Sequence, residues 1–120
     1  MRYTTDMNKP IDDYAVYITE DVLGHISDIT YKKMFGGYGL YYQNRIFAII
    51  TSDDEVCFKA TEKLAEEYAA AGATQFIYTG HKNKKPTPMP YWRVPEAILE
   101  DRETITDWVK KSARLSQGLA

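Results

Sequence analysis

Apolar residues between Ile11 and Ile26 recur at steps of three and four: Ile11, Tyr14, Ala15, Ile18, Val22 and Ile26. That spacing predicts one buried face of a helix. Pro10 suits its first turn, and Asp12 and Asp13 sit where the helix dipole favours negative charge. The period then breaks at Met34-Phe35-Gly36-Gly37-Tyr38-Gly39, whose glycines predict a backbone turn with positive φ at one of them at least. Tyr38–Tyr42 and Ile46–Thr51 are rich in strand formers and flank Gln43-Asn44, a hairpin signal. Setting Tyr42 against Arg45 places Leu40 opposite Phe47 and Tyr38 opposite Ile49, a candidate core face. After the polar turn Ser52-Asp53-Asp54-Glu55, Val56–Lys59 reads as a third strand.

Thr61 is placed to cap a second helix running to Ala71, with Gly72 as its stop and Leu64, Ala65, Tyr68 and Ala71 facing inward. Gln75–Tyr78 reads as a fourth strand and Thr79–Pro88 as a polar loop. Met89–Val94 reads as a fifth strand whose prolines place it at an edge or on a bulge. Pro95 opens a short helical turn. Asp101 caps a last helix with Ile105, Trp108, Val109 and Ser112 on one face. The expected fold class is α+β: a mainly antiparallel five-stranded sheet against helices, in the order α-β-β-β-α-β-β-α. At 120 residues, without a linker or repeat, residues 1–120 form one domain.

Charge refines this picture. The net −2 divides into a −4 segment at 1–31, with two basic and six acidic residues, and a +4 segment at 68–95, where Lys82, Lys84, Lys85 and Arg93 meet no acid. Such a bipolar chain does not suit a general nucleic-acid coat protein, but it leaves room for one anion-binding surface. Lys82, Lys84 and Lys85, near Tyr78, Tyr91 and Trp92, are the candidate, joined by Lys32 and Lys33 if the fold gathers them. Lys110, Lys111 and Arg114 are further cations that the fold could bring in. A single cysteine, Cys57, rules out an internal disulfide, and no apolar run is long enough to cross a bilayer. A reducing cytoplasm is the expected compartment, with no membrane partner.

Catalytic patterns are absent. No Gly-Lys-Ser/Thr follows the glycines, as a phosphate loop requires, and a strand rather than a helix comes next. Cys57 sits in an apolar strand, and His25 and His81 are both distant in sequence, which does not suit a nucleophile and base. His25 is expected at a helix C-terminus, and His81 in an exposed loop. No metal-ligand spacing appears, and the Pro86-Thr87-Pro88-Met89-Pro90 run lacks prolines three apart. The expectation is a binding protein, not an enzyme, with neither metal nor cofactor.

Two blocks carry a family resemblance. One is Lys33-Met34-Phe35-Gly36-Gly37-Tyr38-Gly39-Leu40-Tyr41 with Phe47-Ala48 and Lys59. The other is Met89, Tyr91-Trp92-Arg93-Val94-Pro95, an acidic turn and Trp108, with Gly72 and Gln75-Phe76-Ile77-Tyr78 between the two. Together, from about Tyr14 to Leu115, they resemble the N-terminal domain of TfoX/Sxy-type competence regulators. The resemblance implies a bacterial regulatory domain without cofactor or catalytic residues. It makes Met34, Phe35, Gly36, Gly37, Gly39, Tyr91, Trp92 and Pro95 family positions of structural character. Longer members activate natural-competence genes together with the cyclic-AMP receptor protein and carry a C-terminal helical domain, so a chain ending at Ala120 is expected to be the N-domain alone. The function expected is regulation through protein–protein contacts, the partner being transcription machinery or another regulator. The alternatives are direct nucleic-acid binding through loop 81–85 and a small-ligand binder or enzyme. Homo-oligomerisation is left open.

Overall fold

The computed structural model describes residues 13–34, 36–79 and 85–116. The chain opens with a short α1 (Asp13–Val16) that widens at once into a π-helical stretch, Tyr17–Val22. The widening is closed by the Leu23 amide donating to the Ile18 carbonyl at 2.9 Å, a span of five residues. It brings Leu23 into the core beside Ala15 and Ile18, all three fully buried. The expected helix to Ile26 therefore ends sooner, and Ile26 is buried from the following turn.

Six strands follow: β1 (Ile29–Met34), β2 (Gly37–Tyr42), β3 (Arg45–Ile50), β4 (Val56–Lys59), β5 (Thr74–Tyr78) and β6 (Thr87–Arg93). Helix α2 (Glu62–Ala70) lies between β4 and β5, and α3 (Glu96–Leu99) and α4 (Arg102–Leu115) close the chain. The strands form one sheet in the order β1-β2-β3-β4-β6-β5, with every pairing antiparallel. The fold is thus α+β as expected, with six strands instead of five. The extra one is β1, an edge strand whose alternation is masked by adjacent Lys32 and Lys33, side chains that edge strands tolerate.

Tyr42 pairs with Arg45 as expected, but a bulge at Leu40/Tyr41 shifts the rest of the hairpin. Leu40 lies opposite Ala48 and Tyr38 opposite Ile50, so Ile49 moves to the other face of the sheet. Phe47 still reaches the core, at 5.2 Å from Phe58 between ring centroids. β6 is an inner strand, not an edge. Its prolines are accommodated because Pro88 lies beyond the stretch paired with β4 and Pro90 offers only its carbonyl there, to the Ala60 amide at 3.1 Å, next to a bulge.

Gly36 takes φ +81° in the turn between β1 and β2, and Gly72 takes φ +105° after α2. Gly37 has another reason to be glycine: a Cβ there would lie 2.0 Å from the Ile50 carbonyl oxygen. Asp101 caps α4, its carboxylate accepting from the Thr104 amide at 3.2 Å. Thr61 stands at the α2 N-cap without a side-chain bond, and Ala71 is exposed rather than inward.

Every helix among the described residues packs on one face of the sheet. Ala15, Ile18 and Leu23 from the first helix, Tyr68 from α2, and Ile105, Trp108 and Val109 from α4 meet Tyr38, Leu40, Ala48, Ile50, Val56 and Phe58. At the centre, Tyr68 and Trp108 stack at 3.8 Å between centroids with planes 12° apart.

Candidate functional site

The strand registers carry one row of residues across the whole sheet: Lys32, Gly39, Ile49, Cys57, Arg93 and Thr74. Because Tyr38, Leu40, Ala48, Val56 and Phe58 point into the helix-covered core, this row points the other way. Thr30, Met34, Tyr41, Ile46, Lys59 and Tyr91 belong to the same outer face by alternation and pairing. Among the described residues, no helix packs on it.

The centre of this face is apolar. A Cβ at Gly39 would lie 2.7 Å from the Met34 sulfur, 3.3 Å from Tyr41 Cε1 and 3.4 Å from Ile46 Cδ1, so these three side chains close over the glycine. Ile46, Ile49, Tyr41, Tyr91 and Met34 are half-buried. The Tyr91 phenol is held above its ordinary range, first by burial and then by the neighbouring Tyr41.

Cys57 is fully buried between the larger side chains of its row. Burial, reinforced by Glu55 and opposed by Arg93, pushes its thiol up to about 12. That is the opposite of an activated nucleophile, as the apolar strand implied.

Charge lies at the margin. Lys32 Nζ sits 5.3 Å from the centroid of the Tyr41 ring, a cation–π contact. The Arg93 guanidinium donates to Glu55, with Nε 3.2 Å from Oε2, and to the Thr74 hydroxyl at 2.7 Å. Lys59 Nζ donates to Ser116 Oγ at 2.9 Å, and that hydroxyl donates on to the Ile46 carbonyl at 2.8 Å.

The expected lysine patch is not assembled among the described residues. Lys82 and Lys84, with His81 and Phe35, lie outside them. Lys85 is exposed just before β6, whereas Lys32 and Lys33 lie on β1 at the far side of the sheet. Four strand spacings separate β1 from β6, roughly 19 Å at about 4.8 Å each. Lys110 and Arg114 are on α4 in the helix layer, and Lys111 is engaged by Glu67 at 2.6 Å and Asp107 at 3.0 Å. His25 stands near the end of the first helix, 2.8 Å from the Thr106 hydroxyl.

The described family positions lie at turns, at a helix start and on both faces of the sheet. Met34, Gly36, Gly37 and Gly39 shape the β1–β2 turn and the centre of the outer face, and Pro95 caps α3. Tyr91 faces outward, and Trp92 packs half-buried against the core. Trp92 Nε1 is buried without a hydrogen-bond partner among the described residues.

The outer face did not emerge from the residue patterns, yet a signal was present. β3 reads Arg-Ile-Phe-Ala-Ile-Ile, with no polar alternation, as strands apolar on both faces do.

A separate cleft of about 290 Å³ lies between the first helix, β4 and α3, lined by Tyr14, Tyr17, Asp54, Glu55, Glu96 and Glu100 among others. No group of three or more His, Cys, Asp or Glu among the described residues is arranged to hold a metal ion, and no described helix is long and apolar enough to cross a membrane.

The sequence model of the TfoX N-terminal domain matches residues 21–115. No curated protein matches the chain significantly.

Proposed function

Because the chain belongs to the TfoX N-terminal domain family, we propose that it is a bacterial regulatory domain of the competence-regulator kind that acts by docking a protein on the uncovered face of its sheet. The observation that carries this reading is the composition of that face. Its centre is Tyr41, Tyr91, Met34, Ile46 and Ile49, and Lys32, Arg93 and Glu55 lie at its margin. Protein interfaces are built this way, with aromatic residues and Met at a centre depleted of charge and a polar rim. The rim cation Lys32 suits a partner, transcription machinery or another regulator, that presents an acidic residue beside an apolar centre.

Nucleic acid is the less favoured ligand. Lys32 and Lys85 are too far apart to grip one short stretch of backbone, and two of the outer-face cations, Lys59 and Arg93, already have protein partners.

The test is a photo-cross-linking residue placed at Ile49 or, as a control, at Lys110 on the helix side, in nuclease-treated cells. A discrete protein adduct is expected from position 49 only. An Ile49→Lys variant that keeps its far-ultraviolet dichroism should lose the effect of the wild type on transcription of DNA-uptake genes. Equal adducts from both positions, or a transcriptional effect untouched by Ile49→Lys, would overturn the reading. Cross-links to nucleic acid at Lys85 would transfer the function to the lysine loop.

A further inference from the structure

β3 and β4 do not pair along their whole length. Their pairing stops at Ala48–Phe58. Beyond it Lys59 pairs with Tyr91 of β6, the Ala60 amide turns to the Pro90 carbonyl at 3.1 Å, and Ile46 pairs with Tyr41 of β2. The fork between the two strands is filled from α4. The hydroxyl of Ser116, the C-cap of that helix, donates to the Ile46 carbonyl at 2.8 Å and accepts from Lys59 Nζ at 2.9 Å.

This leaves Lys59 unlike its neighbours in charge. Arg93 is met by Glu55, Lys111 by Glu67 and Asp107, and Lys32 lies over the Tyr41 ring. Lys59 is half-buried, and among the described residues its ammonium meets a neutral hydroxyl and no carboxylate. The carboxyl end of α4 favours a cation there, but a charge drawn partly out of water is fully compensated only by an opposite charge. An ammonium has three N–H donors, and one is spent on Ser116. The Ser116 hydroxyl has a single proton, committed to Ile46, so it accepts from Lys59 and keeps that long side chain in one place.

Resting on the docking face proposed above, we propose that Lys59 anchors the partner protein through one carboxylate: an Asp or Glu side chain of the partner pairs with this ammonium beside Tyr91. Ser116 is the positioning residue. A lysine that a partner must itself immobilise costs affinity, and here the fold has already ordered it. Tyr41 and Ile46 lie on the strands between Lys32 and Lys59, so the partner carries an acidic side chain on each side of its apolar contact. One cation on each flank of an apolar strip does not track a phosphodiester backbone, which makes a carboxylate the occupant.

Two cross-links separate the anchor from the docking face itself. With a photo-cross-linking residue at Ile49, the protein adduct from nuclease-treated lysate reports docking. Its yield at sub-saturating concentration is expected to fall at least about ten-fold in Lys59→Met and to be kept in Lys59→Arg. It should fall about two- to ten-fold in Ser116→Ala, each variant keeping the far-ultraviolet dichroism of the wild type. In the Lys59→Met background Ser116→Ala should change the yield no further, whereas a merely structural loss would add.

The second cross-link needs no variant. A carbodiimide should join Lys59 Nζ of the wild type to an Asp or Glu of the same partner, with exposed Lys110 as the unlinked control. The anchor is refuted if the position-49 adduct forms undiminished in Lys59→Met, or if Ser116→Ala lowers it equally in both backgrounds. It is also refuted if the carbodiimide links Lys110 as readily as Lys59. No position-49 adduct from the wild type would overturn the docking face, and the anchor with it.

Discussion

Replacing Tyr68 by Phe removes a single oxygen from the most enclosed polar contact between the helices. The Tyr68 hydroxyl donates to the Trp108 carbonyl at 3.0 Å and lies 2.7 Å from Ser112 Oγ, and both Tyr68 and Ser112 are fully buried. With Phe at position 68, the ring still stacks on Trp108, but the Ser112 hydroxyl has lost its partner in a dry site. A buried polar group left unsatisfied costs about 1–3 kcal/mol, so Tyr68→Phe should lose about 2 kcal/mol. Ser112→Ala takes away the second hydroxyl while Tyr68 keeps the Trp108 carbonyl, and should lose about 1 kcal/mol. In the double variant no hydroxyl is stranded. Its loss should fall short of the roughly 3 kcal/mol sum by about 1 kcal/mol, a coupling of the size expected for residues in contact. Urea unfolding followed by tryptophan fluorescence, with unchanged denaturant slopes, measures all four corners of the cycle. Strict additivity would refute the reasoning, since it would mean that the two hydroxyls do not share one network.

Trp108, 3% exposed and packed on both Tyr68 and Phe58, should cost about 3–5 kcal/mol when truncated to Ala, read from the shift of the urea midpoint. Trp92, only half-buried, should cost less. Cys57 keeps its proton in the folded chain, its thiol held up to about 12 against an ordinary 9.0, while the unfolded chain ionises near 9. Its contribution is therefore intact below about pH 9 and is lost between 9 and 12, at up to about 1.4 kcal/mol per pH unit, a slope that Cys57→Ala should lack in urea titrations at successive pH values. Native Cys57 should also resist thiol reagents at pH 8 until urea is added. Gly37→Ala forces a Cβ to within 2.0 Å of a backbone carbonyl, so it should destabilise by more than the ~0.5–1 kcal/mol of an ordinary Gly/Ala exchange, as measured by thermal unfolding.

The Asp101 cap and the Gly72 stop could be read from the residues because their causes are local, whereas Thr61 takes the N-cap position without a side-chain bond. Asp101 accepts from an amide three residues on, and Gly72 meets its own backbone demand. The inward faces of α2 and α4 were legible for a similar reason, since Tyr68, Ile105, Trp108 and Val109 follow the helical period. What escaped depended on neighbours. The bulge at Leu40/Tyr41 is a property of two paired strands, and it alone decides which side Ile49 faces. The π-turn shifts Leu23 inward against the α-helical period. β1 is stabilised by pairing with β2, while its own composition reads as a polar connection. Likewise, the lysines looked like one patch along the chain, and only the strand order shows Lys32 and Lys85 at a distance. The outer face depends on which side the helices choose, a global outcome that a strand such as β3, apolar on both sides, leaves undecided.

The strand order also sets how the domain can breathe. β1 to β4 form a consecutive meander with α4 on it, whereas α2 packs on β5 and β6, which form a hairpin. These two halves are joined along β4 and β6 by the pairs Cys57–Arg93, Phe58–Trp92 and Lys59–Tyr91, with the Val94 amide on the Val56 carbonyl and the Ala60 amide on the Pro90 carbonyl, and by the Arg93–Glu55 and Lys111–Glu67 ion pairs and the Tyr68–Trp108 stack. A seam between two units that are each folded from consecutive chain is where a cooperative sub-global opening costs least. The hairpin and α2 would swing away as one leaf, leaving the meander folded. Amides of 56–60 and 91–94 would then exchange with solvent deuterium together, ahead of those of 38–50, and the moment of opening would be the moment at which the sulfur of Cys57 first meets water.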